Sequence, residues 1–319
     1  MNELERYVVE EQVEDFNDGL ISRRELLRRV TLVTGSLAAT LALLEAMGCG
    51  SQPSGTASPT PTTGTAANRP YATPPGAPTS DGVTVRPDDS RLRVEPLPVK
   101  GADGAQLITY FARPAAGGPV PGVVVVHENR GLVPHIKDVV RRVATAGFAG
   151  LSIDLLSREG GADALSDPAA YMAALPKRPA ADMVSDLRQG LAALSAWGSG
   201  ARTGIVGFCF GGGMVWNVLA SGADVRAAAP FYGPAPSPVE GLAAQKAAVY
   251  AVYAELDTRI TSQRGAVEEQ LKKSGRPYEI TVRSGVDHAF HNDTGPRYNA
   301  PEAQKAWAGT VEWFNGHLR

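Results

Sequence analysis

Two apolar runs restrict what this chain can become. Residues 121–128, "PGVVVVHE", hold four valines in succession, and 148–156, "FAGLSIDLL", is a second largely apolar run. A strand with one wet face alternates, so a strand that is apolar throughout must be covered on both faces. Between the two lies "HIKDVVRRVATAG" (135–147), with Ile136, Val139, Val140 and Val143 at helical spacing and a closing glycine. Strand, helix and strand in that order make a parallel pair joined by a crossover. The alternation continues, with strands expected at 105–114, 203–208, 225–233, 246–257 and 278–285. Helices are expected at 180–197, 212–220, 264–275 and 300–318. The fold class is therefore α/β, a mostly parallel central sheet with helices on both faces. In such sheets ligands bind outside the carboxyl ends of the strands.

The 319 residues are 43% hydrophobic, enough for a sizeable core, and carry a net charge of −2 with no basic stripe. That balance argues against a nucleic-acid partner. Two cysteines and five scattered histidines form neither a disulfide framework nor a ligand-spaced metal site, so no metal and no cofactor is expected.

Three segments are expected. Residues 1–49 read as a targeting segment. Ser22-Arg23-Arg24-Glu25-Leu26-Leu27 resembles a twin-arginine export signal, and an apolar stretch, Val30 to Leu44, follows it. Ala46-Met47-Gly48-Cys49 resembles a lipoprotein cleavage box, which makes the Cys49 thiol the acceptor for a lipid anchor. Simple signal cleavage, or an uncleaved helix with a buried cysteine, are the other readings. Residues 50–85 are dominated by Pro, Thr, Ser, Gly and Ala and cannot bury enough surface to fold, so they read as a spacer. Residues 86–319 then form one domain, exported and extracytoplasmic, with membrane contact only through its N-terminal anchor or signal.

Chemistry-bearing residues fall at strand ends. Cys209 follows the strand at 203–208, and Gly207-x-Cys209-x-Gly211 has the spacing of a nucleophile elbow with sulfur in place of oxygen. The bend is so tight that only small residues fit two places on either side. The helix that follows favours thiolate at its N-terminus, and the Phe210 N–H points at a developing oxyanion. A cysteine merely buried on a glycine-packed turn is the bland alternative. Asp257 closes the strand at 246–257, and His288 follows the last strand. Cysteine, acid and histidine in that chain order match the α/β-hydrolases. Glu255 and Asp287 are rivals for the acid. Glu128, at the end of the strand at 121–128, is a carboxylate placed to take the thiol proton, and the Asn129 N–H is a second oxyanion donor. His127 supports Glu128 or Cys209 from behind.

These residues resemble the dienelactone hydrolase family, within the α/β-hydrolase fold, over roughly residues 95–319. The stretches "HENRGL", "GFCFGG", "YAELDTRI" and "GVDHAFHNDTGPRYNAPEA" carry the likeness. The resemblance implies a Cys209–Asp257–His288 triad, Glu128 as activator of the thiol, and an oxyanion hole from Phe210 and Asn129. It also implies a monomer that acts on a small-molecule lactone or ester through an acyl-thioester. Tyr232 falls where the family places pocket aromatics, and His127, His291 and Asn292 are the other pocket candidates. Asn292 stands where family members that bind a substrate carboxylate carry an arginine; His291, Arg297 and Arg158 are the candidates to replace it. The competing reading is a non-catalytic binding lipoprotein on a hydrolase scaffold.

Overall fold

The computed structural model describes residues 1–47, 84–165, 167–199 and 202–319. Cys49 and residues 50–83 of the expected spacer lie outside them. Contacts divide the chain into two compact units, Met1–Ala77 and Pro78–Arg319.

The first unit holds three helices, α1 (Glu3–Asn17), α2 (Arg23–Thr34) and α3 (Leu37–Ala46). Asn2 and Glu5 form a reciprocal capping box at the start of α1. The acidic leader, unassigned from sequence, is therefore helical. Arg29 ties α2 back to α1 through Gln12 at 3.0 Å. Arg28 and Arg29 together hold the Glu25 carboxyl down at about 2. Gly35, at φ 77, ends α2, and the Ser36 side chain caps α3. That break splits the apolar stretch into two helices bent by 111°. No single helix among the described residues is long and apolar enough to cross a membrane.

The second unit is built on an eight-stranded sheet. In chain order its elements are β1 (Leu92–Val94), β2 (Val99–Lys100), β3 (Gln106–Leu107), β4 (Thr109–Pro114), β5 (Gly122–Val126), α4 (Pro134–Thr145) and β6 (Ala149–Ile153). There follow α5 (Gly161–Ala164), α6 (Pro168–Ala174), α7 (Ala180–Leu194), β7 (Thr203–Phe208), α8 (Phe210–Ala220), β8 (Ala227–Phe231) and β9 (Ala248–Ala254). The chain ends with α9 (Thr258–Thr261), α10 (Arg264–Ser274), β10 (Tyr278–Arg283) and α11 (Ala300–Leu318). The strand order is β1-β4-β6-β5-β7-β8-β9-β10. β1–β4 and β4–β6 pair antiparallel, and every later pair is parallel. β2 and β3 make a separate antiparallel pair.

Every residue of β5, β6, β7, β8 and β9 is buried, as runs without alternation require. β10, at the sheet edge, is only half-buried. Because β5, β7, β9 and β10 run parallel, their carboxyl ends come out on one edge of the sheet. Glu128, Cys209, Asp257 and His288 follow those four ends.

Close backbone approach sets the geometry at the centre of that edge. A Cβ on Gly211 would lie 2.5 Å from the carbonyl oxygens of Val126 and His127, and one on Gly207 would run into the Gly211 carbonyl. Glycine is what lets α8 start directly against the end of β5.

The loop after β10 is latched to α4. Asp293 accepts from His135 Nδ1 at 2.8 Å, from Arg142 and from Thr84 Oγ1 at 3.3 Å. Asp138 accepts from Arg142 at 2.8 Å and from the Val85 N–H at 2.7 Å. Burial pushes the Asp293 carboxyl up, but His135 and Arg142 outweigh it and bring it down to about 2.

Two outcomes follow from this packing. Gly211→Ala should destabilise the domain by about 1–3 kcal/mol or more through overpacking, measured by urea unfolding; an unchanged midpoint would contradict the close approach. Asp293 contributes stability above the unfolded carboxyl value of 3.8, and loses it as pH falls through about 2. Asp293→Asn should therefore be less stable than wild type at neutral pH, and the gap should close across that window. A gap that stays constant from pH 3.8 to 2 would sink the latch.

Candidate active site

Cys209 is the residue between β7 and α8, at φ 58 and ψ −124, and it is buried. A non-glycine residue in that region is strained, and strain of this kind persists where the surroundings over-determine it. Here the Cys209 N–H is held by the Phe231 carbonyl at 3.1 Å, and its own carbonyl accepts from Gly213 at 3.2 Å. The sulfur sits beside the first turn of an 11-residue helix, where the peptide dipoles favour negative charge.

The His288 imidazole is held by Asp257. Nδ1 and Asp257 Oδ2 are 2.6 Å apart, and both residues are buried. Asp257 also caps α9 through the Ile260 N–H at 3.3 Å. A ring nitrogen of His288 lies within 4.8 Å of the Cys209 sulfur. The rival acids are engaged elsewhere. Exposed Glu255 accepts from Ser284 Oγ and the Gly285 N–H, both at 2.7 Å, and closes the turn after β10. Asp287 accepts from the backbone N–H of His288 at 2.7 Å and sits 3.8 Å from Arg297.

Glu128 is 8% exposed. Its Oε2 accepts from the Asn292 side-chain amide, while Oε1 has no hydrogen-bond partner among the described residues. The Asn292 amide is itself oriented, because its Oδ1 accepts from Thr294 N at 3.0 Å and Thr294 Oγ1 at 2.6 Å. Asn292 thus faces Glu128, the role of a neutral donor beside a carboxylate. Of the cations considered in its place, Arg158 is bound to Asp103 and Asp186 at 2.7 Å each, and Arg297 sits by Asp287.

The two histidines expected in the pocket occupy packed positions. His127 is fully buried; it donates from Nδ1 to its neighbour's carbonyl, Glu128 O, at 2.6 Å and accepts the Leu155 N–H on Nε2 at 3.1 Å. Burial pushes its pKa down against the pull of Asp154, so both bonds are those of a neutral ring. His291 stacks on Phe208 at 4.8 Å and packs near Phe231 and Trp307. Burial, then Arg142 and His135, push its pKa far down. It is a neutral core side chain and cannot take the place of a cationic clamp. Tyr232 is also buried, its ring 5.1 Å from that of His288.

Phe210 contributes the first residue of α8, its ring stacked 6.5 Å from His127. Asn129 is half-buried on the loop after β5. That loop has an anchor the sequence reading missed. Asp154, at the end of β6, accepts from Leu132 N, Leu156 N, Ala162 N and Tyr171 Oη, at 3.3, 3.0, 2.9 and 2.7 Å. A buried aspartate ending an apolar strand was the available signal, since burial without partners is costly.

The profile of the dienelactone hydrolase family matches residues 107–318. A protein of Methylorubrum extorquens named "Putative carboxymethylenebutenolidase" is 32% identical over 250 residues, covering 74% of this chain and 86% of its own. The crystal structure titled "Putative Dienelactone Hydrolase" from Klebsiella pneumoniae superposes with a TM-score of 0.65 at 28% identity, over 71% of this chain and 99% of that one. A dienelactone hydrolase structure from Anabaena variabilis, 21% identical with a TM-score of 0.54 over 72% of this chain and all of that one, shares the fold. The chain belongs to the dienelactone hydrolase family, a hydrolase of α/β-hydrolase fold.

Proposed function

We propose that this protein hydrolyses a lactone or other carboxylic ester through Cys209, by way of an acyl-thioester. One observation carries the reading: a buried imidazole, fixed by Asp257 at 2.6 Å, stands within 4.8 Å of a sulfur on a strained strand-to-helix bend. Relatives support the substrate class. Besides the carboxymethylenebutenolidase names, a Bradyrhizobium relative, 29% identical over 232 residues, is named "Probable 2-oxo-3-(5-oxofuran-2-ylidene)propanoate lactonase".

Glu128 takes the thiol proton, and the thiolate attacks the ester carbonyl carbon. The Phe210 and Asn129 N–H groups stabilise the oxyanion. The C–O bond breaks, and the alkoxide leaves with a proton from His288. In a lactone it stays tethered to the acyl group. Water then attacks the thioester, giving one proton to the now neutral His288 and so restoring the imidazolium it began as; the sulfur leaves as thiolate with the acid released, and Glu128 returns its proton to it. Asp257 orients the imidazole and stabilises its cationic form. The Glu128–Asn292 contact keeps the carboxylate beside the site through a neutral donor, which leaves it free to turn toward the thiol without breaking an ion pair.

The N-terminal segment extends the proposal to location. Exposed Arg23 and Arg24 open α2, and the apolar residues after them suit export through a twin-arginine route. Cys49 would then carry the lipid, with the Pro-, Thr- and Ser-rich stretch after it as a spacer that ends before Thr84 and Val85, which are tied to Asp138 of α4.

Two experiments test the reading. A hydrolysis screen over lactones and short p-nitrophenyl esters should show turnover that Cys209→Ala abolishes and His288→Ala lowers by about a thousandfold or more. No turnover above the Cys209→Ala control for any acyl substrate would leave a binding protein as the better description. In the producing cell, the protein should partition with membranes, and Cys49→Ala should release it to the soluble extracytoplasmic fraction. Recovery of both forms in the cytosol would overturn the location.

A further inference from the structure

Tyr232 is an expensive residue. Its backbone sits at φ 36, one of three non-glycine residues with positive φ among the described residues. The other two, Cys209 and Ala289 (φ 62), flank the sulfur and the imidazole directly. An aromatic residue there is a true outlier, and observed strain of this kind points to function rather than packing. The hydroxyl adds a second cost. It is buried and has no hydrogen-bond partner among the described residues. The backbone group acting on it, the His291 N–H, is a donor, so its proton lacks an acceptor. Phenylalanine would fill the same space among Phe208, Phe231, Phe290 and His288 without the buried hydroxyl's penalty.

The matching acceptor lies on the same edge of the sheet. Glu128 Oε1 is buried and unpartnered among the described residues, while Oε2 is taken by Asn292. An orphaned donor and an orphaned acceptor, both buried on one edge of the sheet, can complete each other. Burial first, then the charges of Glu128 and Cys209, raise the Tyr232 pKa well above its usual value, so the group stays a protonated donor.

We propose that Tyr232 is a positioning residue for Glu128, its hydroxyl donating to the carboxylate oxygen that Asn292 leaves open, so that the carboxylate is held between two neutral donors as it turns toward Cys209. This rests on the reading of Glu128 as activator of the thiol.

Tyr232→Phe keeps the ring and removes only the hydroxyl. Its kcat for ester hydrolysis should fall about tenfold or more with KM within about twofold, and its melting temperature should stay equal or rise. Iodoacetamide labelling of Cys209 should slow in parallel. The deciding arm is a double-mutant cycle: in a Glu128→Ala background, adding Tyr232→Phe should change kcat and the labelling rate by less than about twofold. An equal loss in both backgrounds, or none in the single variant, overturns the proposal while Cys209-dependent turnover by wild type leaves the hydrolase reading standing. A wild-type protein that turns over no ester and labels like free cysteine overturns both.

Discussion

The site depends on how closely one helix can approach one strand. Where β7 bends into α8, backbone meets backbone, and Gly211 leaves room for the carbonyls of Val126 and His127. Because of that contact, the end of β5, two residues before Glu128, packs directly against the start of α8. It also accounts for the strain at Cys209, which a buried hydrogen bond to Phe231 holds in place. The candidate site's edge is therefore a consequence of missing side chains as much as of polar ones. Strain spread over Cys209, Tyr232 and Ala289 is tolerable because a fully buried parallel sheet fixes the strand ends beneath them.

Two polar anchors hold the loops that the sheet does not. Asp154 gathers four donors behind the loop of Glu128 and Asn129. Asp293, paired with His135 and Arg142, ties the loop of His288 and Asn292 to α4. Buried carboxylates of this kind are stable only when fully satisfied, which makes them rigid fixtures. Between them, Glu128 is held by an amide rather than a guanidinium. A neutral donor holds a carboxylate with less electrostatic cost on release than a guanidinium does.

The strand and helix pattern was legible because β-branched runs and helical spacing are local properties. The strand at 203–208 and the helix at 300–318 occupy the spans expected of them. The misses have physical reasons. β1, β2 and β3 are two or three residues long, too short for any periodicity. The stretch from 157 to 177 is broken by Gly160, Gly161, Pro168 and Pro176 into short turns, so no helical period could accumulate. Gly35 and Ser36 divide an apolar segment that composition alone joined. At the site, the sequence offers His127 as support for Glu128 or Cys209 and His291 as a replacement for an arginine, and says nothing of how each ring is packed. Both are neutral and packed, a matter of burial that no motif reports.

The sequence by itself determined the fold class, the placing of Cys209, Asp257, His288 and Glu128 after strands, and the need for glycine around the bend. Those follow from short-range rules: hydrophobic period, turn sterics and chain order. Only the tertiary structure decided which of three acids holds the imidazole, that Asn292 faces Glu128, and that Tyr232 buries a hydroxyl next to its neighbours' charges. These are pairings between groups brought together from distant parts of the chain. Their geometry is set by sheet register and loop anchoring, which no local pattern encodes.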